Sequence, residues 1–190
     1  LKALTMADED GRLPAGHHFP QESLGEWWAE KCDFDKYLKP DPELIDALNS
    51  LPLKKVVFTN APRKYGLAVL DALQLRGCFQ DSHIFGVEDV MPACKPEPAA
   101  FQKVLAAVGS ETSRSVMFED SLKNIRACKA MGMRTVFVRG ASDPLASDAE
   151  AIDAVLEKAG DMKRVLPGLW RGQLAAAGGD GGRGGRASRL

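Results

Sequence analysis

Five side chains in three short stretches of this sequence could act together on a phosphoryl group: Thr59 and Asn60, then Lys95, then the adjacent acids Glu119 and Asp120. A threonine hydroxyl and the backbone amides after it, facing a helix start, can donate hydrogen bonds to phosphate oxygens. A lysine is a point charge that neutralises an anion as it is transferred, and Lys95 is flanked by Pro96 and Pro98, which restrict the loop that holds it. Two neighbouring carboxylates at a strand end are what a hard cation such as magnesium requires beside phosphate oxygens. Asn124 and Ser121 are placed to support that pair. Taken singly, each residue has a plainer account: a turn threonine, a solvated lysine, an acidic helix cap. The order and placement of all of them together is harder to dismiss.

These residues fall where an α/β fold presents its chemistry. KKVVFTN, DSHIFGVED, SVMFED and TVFVRG are short β-branched and aromatic runs without polar alternation, the pattern of strands buried on both faces. Between them the spacing predicts helices over about Arg63 to Leu75, Pro98 to Val108 (stopped by Gly109) and Leu122 to Gly132. Ahead of the first strand, Asp41 can cap a helix over about Glu43 to Asn49, with Pro42 suited to its first turn. Strand and helix alternating at this spacing imply a doubly wound parallel sheet with helices on both sides. In such a sheet ligands gather at the C-terminal strand ends, where Thr59, Lys95 and Glu119 fall.

The remaining parts are a small helical appendage over residues 1–38, the core over 39–170, which closes with a short strand and a last helix ending near Pro167, and a glycine- and arginine-rich tail over 171–190 expected to be disordered. The tail's two Gly-Gly-Arg units are few for RNA binding. Lys plus Arg at 25 against Asp plus Glu at 26 leave a net charge of −1, so neither nucleic acid nor an anionic membrane is favoured, and a small molecule is the natural partner. The four cysteines are scattered, which suggests reduced thiols. With no apolar run of membrane-spanning length and no secretory pattern near Leu1, a cytoplasmic or organelle-stroma setting is expected.

VVFTN, CKPEPAAF and SVMFEDSLKNIRACKAMGMRTVFV, in that order, resemble the second, third and fourth motifs of the haloacid dehalogenase-like hydrolases. The resemblance covers roughly Lys39 to Trp170, and the fourth motif with its trailing helix is its most specific part. DKYLKPDPELIDALNSLP and VLPGLW look like the pyrimidine 5′-nucleotidase-like branch. The resemblance implies a magnesium-dependent phosphatase, here on nucleoside 5′-monophosphates, working through an aspartyl-phosphate. Carried over, Thr59 and Asn60 would bind phosphoryl oxygens, Lys95 would hold the phosphate and the nucleophile, and Glu119 and Asp120 would ligate Mg2+ directly or through water.

The family's first motif, an apolar strand ending in Asp-x-Asp, has no convincing match. The one candidate is Asp8-Glu9-Asp10, but LKALTMA before it is interrupted by Lys2 and Thr5 and makes a poor buried strand. The first thirty or so residues look instead like the family's helical cap, which would put the nucleophile strand ahead of Leu1 and leave this chain inactive. That strand sits centrally in related folds, so two inner sheet edges should be left unpaired or the sheet rearranged. Trp27, Trp28, Phe19, His17 and His18 could wall a nucleotide base, although packing is the commoner use of such residues. His83 reads as structural. A second reading is a non-catalytic phosphate- or protein-binding relative, since every retained group binds and none attacks. A phosphomutase would share these motifs. A signalling receiver domain would place its acidic pair first and its lysine last, the reverse of the order here.

Overall fold

The computed structural model describes residues 2–18, 27–140 and 143–172. Phe19 and the tail from 173 onward lie outside the described residues. The N-terminal part is helical in short pieces: α1 (Lys2–Glu9), α2 at residues 27–31, and α3 (Phe34–Tyr37). Tyr65, on the core helix Arg63–Ala72, stacks edge-on against Trp28 at 5.8 Å and Phe34 at 5.4 Å, so these aromatics fasten the appendage down. Such contacts add to plain apolar burial.

The core begins with α4 (Pro42–Ser50), which starts as its sequence dictates: Asp41 accepts from the amides of Glu43 at 3.0 Å and Leu44 at 3.3 Å, and Pro42 follows the cap. Then come β1 (Val57–Phe58), α5 (Arg63–Ala72), β2 (Ile84–Phe85), α6 (Pro98–Ala107), β3 (Val116–Glu119), α7 (Leu122–Ala130), β4 (Arg134–Val138), β5 (Ala154–Leu156) and α8 (Met162–Val165). Helix α5 ends earlier than the apolar spacing predicts, because Gln74 takes a left-handed backbone (φ 56°) that a helix cannot continue through.

All pairing is parallel, but the described strands form two sheets: β1–β2, and β3–β4–β5. The strands read from the sequence are present, and β1 and β2 are shorter than their apolar runs. Among the described residues the edge of β1 away from β2 and the edge of β3 away from β4 have no ladder partner. Between them runs a cleft of about 570 Å3 lined from both helical layers, with Phe58 and Phe118 among its walls and Lys95 at one end. Burial follows from pairing. In β4, flanked on both sides, Thr135, Val136 and Phe137 are 0, 3 and 0% exposed, whereas Val116, Met117 and Phe118 of β3 are only partly buried. Among the described residues, no helix is long and apolar enough to cross a membrane.

Candidate functional site

The C-terminal ends of β1 and β3 converge on the loop that carries Lys95. Asn60 makes the first connection: its carboxamide nitrogen donates to the Lys95 carbonyl at 2.9 Å, and its oxygen accepts from the Lys95 amide at 2.9 Å. This two-way bond matches an amide side chain to a peptide group and fixes where Lys95 leaves the backbone. Sequence reasoning missed this role for Asn60, because it depends on two loops 35 positions apart meeting in space. The neighbouring Thr59 hydroxyl oxygen accepts from the Ala61 amide at 3.0 Å, which leaves its proton free to donate.

The Lys95 ammonium crosses the cleft mouth to Glu119 Oε2 at 2.7 Å, passing 5.4 Å from the centre of the Phe58 ring. Only 10% of the Lys95 side chain and 8% of the Glu119 side chain are exposed, so this is a largely desolvated pair. The other Glu119 oxygen accepts from the amides of Asp120 and Ser121, each at 3.2 Å. Burial acts to raise the Glu119 pKa, but its hydrogen bonds to Asp120 and Lys95 and the lysine charge outweigh burial and hold the carboxyl below its ordinary value. Asp120 shifts the opposite way, raised by its hydrogen bond to Glu119, by burial and by the Glu119 charge. Two carboxylates side by side do not ionise as easily as one.

Asp120 is exposed, and Gly140, just past β4, approaches it so closely that a side chain there would begin 3.4 Å from the Asp120 Cβ. Asn124 lies in the first turn of α7, buried, with its Oδ1 lacking a hydrogen-bond partner. The structure thus brings Thr59, Asn60, Lys95, Glu119 and Asp120 to one end of the two sheets, as their order along the chain implies. Asp8 stands elsewhere in the architecture: it lies in helix α1, not at a strand end, with its carboxylate 2.7 Å from His18 Nδ1. Glu88 is a group that no sequence pattern singles out. Its carboxylate accepts from the Arg63 amide at 2.7 Å and so occupies the start of α5, next to Thr59 and Asn60 in sequence.

A family model described as haloacid dehalogenase-like hydrolase matches residues 10–132, well over half of the chain. The chain belongs to this family. Among curated relatives it is 29% identical over 144 residues to a phosphoglycolate phosphatase of Pseudomonas syringae pv. tomato, covering 74% of this chain and 50% of the relative. It is 33% identical over 102 residues to a phosphoglycolate phosphatase of Caulobacter vibrioides (52% and 42% covered) and 29% identical over 111 residues to a phosphorylated carbohydrates phosphatase of Thermotoga maritima (57% and 50%). The chain therefore spans about half the length of the curated relatives it matches. Among solved structures, a haloacid dehalogenase-like protein from Agrobacterium tumefaciens superposes with a TM-score of 0.60 at 22% identity, covering 88% of this chain and 76% of that one. A β-phosphoglucomutase from Clostridium difficile gives 0.58 at 16% identity, covering 92% and 78%. At these identities the two structures speak for the fold.

Proposed function

We propose that the cluster at the strand ends is the phosphate- and Mg2+-binding half of a phosphate monoester hydrolase site. The observation that carries this reading is the Lys95 ammonium held 2.7 Å from Glu119, next in sequence to the exposed Asp120, with the Asn60 carboxamide joining the Lys95 backbone to the Thr59 end of β1. Thr59 donates to a phosphoryl oxygen, the Asn60 amide extends that contact, and Lys95 supplies the positive charge, while the amides of Ala61 and Arg63 are engaged with Thr59 and Glu88. Asn60 acts on Lys95, since its carboxamide is engaged with the lysine backbone.

The charges argue for a divalent cation. One ammonium against two carboxylates leaves an excess negative charge, which repels a phosphate dianion unless a cation intervenes. Glu119 and Asp120 are the residues that would hold it. Among the described residues no group of three or more His, Cys, Asp or Glu side chains is placed to hold a metal ion, so waters and phosphate oxygens would complete the shell, as Mg2+ commonly allows. When bound, the ion stabilises the charge developing on the transferred phosphoryl group. Asp8, which lies in α1 and pairs with His18, is not offered as the nucleophile, and the 190 residues by themselves are expected to bind phosphate and Mg2+ without turning substrate over.

For substrate, the relatives' names favour small phosphate esters such as phosphoglycolate and sugar phosphates, and these stand first. Nucleoside 5′-monophosphates rest on the motif resemblance, while Trp28, Phe34 and Tyr65 spend their contacts on one another. The test is calorimetric titration with inorganic phosphate in the presence and absence of Mg2+, alongside phosphate release from phosphoglycolate, glucose 6-phosphate, UMP, CMP and p-nitrophenyl phosphate. Binding that needs Mg2+ and is lost in both Lys95→Ala and Asp120→Ala supports the reading. Metal-independent binding, or wild-type binding in either variant, sinks it, and turnover by this chain would bring Asp8 back as the nucleophile.

A further inference from the structure

Glu88 carries a charge that the phosphate and Mg2+ contacts do not use, and the fold makes room for it beside the site. The loop after β2 is tied to the loop after β1, since the Val87 amide donates to the Ala61 carbonyl at 3.1 Å. One residue further on, Glu88 Oε1 accepts from the Arg63 amide at 2.7 Å. Pro62 at the N-cap of α5 supplies no side-chain cap, so the Glu88 carboxylate is the anion that meets the helix start. A Cβ on Gly86 would lie 2.5 Å from Glu88 Oε2, so glycine there leaves the carboxylate its place. The Arg63 guanidinium donates instead to the carbonyls of Ile84 and Asp81, each at 2.9 Å, and Lys64 lies 4.0 Å from Glu30. Among the described residues no hydrogen bond reaches Glu88 Oε2, and the side chain is exposed. Asp89 is a second exposed carboxylate, its Oδ2 held by the Gly86 amide at 2.7 Å.

We propose that Glu88 is a specificity-determining residue of this site: it favours phosphate esters whose organic part is an uncharged polyol, as in sugar phosphates, over those with a second negative charge, as in phosphoglycolate. This rests on the phosphate-site reading above and narrows it. Thr59 and Arg63 are four residues apart, a span of at most about 14 Å even in extended chain, so the organic part of an ester bound at Thr59 need reach only a few ångströms towards α5 to feel the carboxylate. The appendage is fastened to the first turn of α5 through Tyr65, which sets this end of the helix beside the space that the organic part enters. The loaded site has no positive charge to spare, because Lys95 is paired with Glu119 and a divalent ion is offset by Asp120 and the phosphoryl oxygens. A second anionic group on the ester therefore meets Glu88 and Asp89 without a counterion, whereas a hydroxyl can donate to Glu88 Oε2.

Calorimetric titration of the 190-residue chain in Mg2+ tests this with inorganic phosphate, phosphoglycolate, its neutral amide phosphoglycolamide, and glucose 6-phosphate. The amide has the shape of phosphoglycolate without the second charge, so the ratio of their affinities reads the tail charge alone. The wild type is expected to bind the amide and glucose 6-phosphate about tenfold more tightly than phosphoglycolate. Glu88→Gln keeps an oxygen for the Arg63 amide and removes the charge; it should cut that ratio to about threefold or less by strengthening phosphoglycolate, while inorganic phosphate stays within about twofold. The wild-type ratio should also shrink as NaCl is raised from about 0.02 to about 0.5 M, since Glu88 is exposed, a readout that needs no variant. A ratio near one in the wild type, a ratio unchanged by Glu88→Gln, or a folded variant that loses inorganic phosphate as well would overturn the proposal. No binding of inorganic phosphate by the wild type would sink the site reading and the role of Glu88 with it, whereas normal phosphate binding with equal ester affinities removes the role of Glu88 alone.

Discussion

Replacing Lys95 with methionine keeps most of the stem that lies along Phe58 and removes the charge that faces Glu119. Both side chains are about nine-tenths buried, with exposures of 10% and 8%, and their contact is 2.7 Å. Removing one partner of a buried ion pair typically costs about 3–5 kcal/mol, because the other charge remains desolvated. Here the carboxylate keeps two amide donors at 3.2 Å, from Asp120 and Ser121. The expected loss is therefore smaller, about 2–3 kcal/mol, or roughly 5–10 °C in Tm for a chain of this size. Urea unfolding followed by far-UV circular dichroism measures it. The double variant Lys95→Met/Glu119→Gln should recover at least half of the loss, since a neutral amide tolerates the site better than a lone carboxylate. The pH dependence has a definite sign. Removing the lysine takes away its hydrogen bond and its charge, both of which lower the Glu119 pKa, so that pKa rises relative to the wild type and the deficit is largest at neutral pH and shrinks as acid protonates the carboxyl. A loss below about 0.5 kcal/mol, or a deficit that stays flat between about pH 4 and pH 7, would refute the account of this pair as buried and mutually dependent.

Asp153 accepts from the Thr135 amide at 2.9 Å and pairs with Lys129 at 2.5 Å; burial opposes but does not overcome these contacts, and its pKa is held below the ordinary value. The resulting stability is complete above the unfolded pKa and is lost as pH falls through the folded one, so Asp153→Asn should cost about 1 kcal/mol at pH 7 and almost nothing near pH 2 in paired urea titrations. A Cβ on Gly86 would lie 2.3 Å from the Arg63 amide nitrogen, a clash with backbone, so Gly86→Ala should lower stability by about 2 kcal/mol or more in thermal melts. Burial pushes the Cys128 thiol up to about 12, so it should stay unreactive towards a disulfide reagent until the chain unfolds, while the exposed Cys32 reacts at once; mass mapping of labelled peptides tells the two apart.

Much of the fold was legible because local rules and tertiary packing agree. Asp41 and Pro42 start α4 as caps should, Gly132 ends the α7 segment in a left-handed conformation (φ 86°), and the run 134–138 is a strand buried on both faces. Agreement fails where an element depends on a neighbour. The apolar run at 54–60 reads as a full strand, yet only Val57 and Phe58 form a ladder; the ammonium groups of Lys54 and Lys55 turn instead to the carbonyls of Val108 and Leu48. At the site, the residue types and their order were readable, but the assignments of partner to partner were not. The Asn60 clamp, the short Lys95–Glu119 contact and the carboxylate of Glu88 at the α5 start all join segments distant in sequence, and no periodicity encodes them.

The connections around Lys95 also have a mechanical meaning. Asn60 ties the lysine to the end of β1, and the lysine in turn grips the last residue of β3, so an ion pair clasps two halves that share no ladder at that edge. A widening between the halves must lengthen this contact, which makes the charge balance of the cluster a gauge of how far the cleft is spread. Because the pair is largely desolvated, added salt screens it little, so the clasp should hold at ionic strengths that weaken exposed pairs such as Lys158–Glu43.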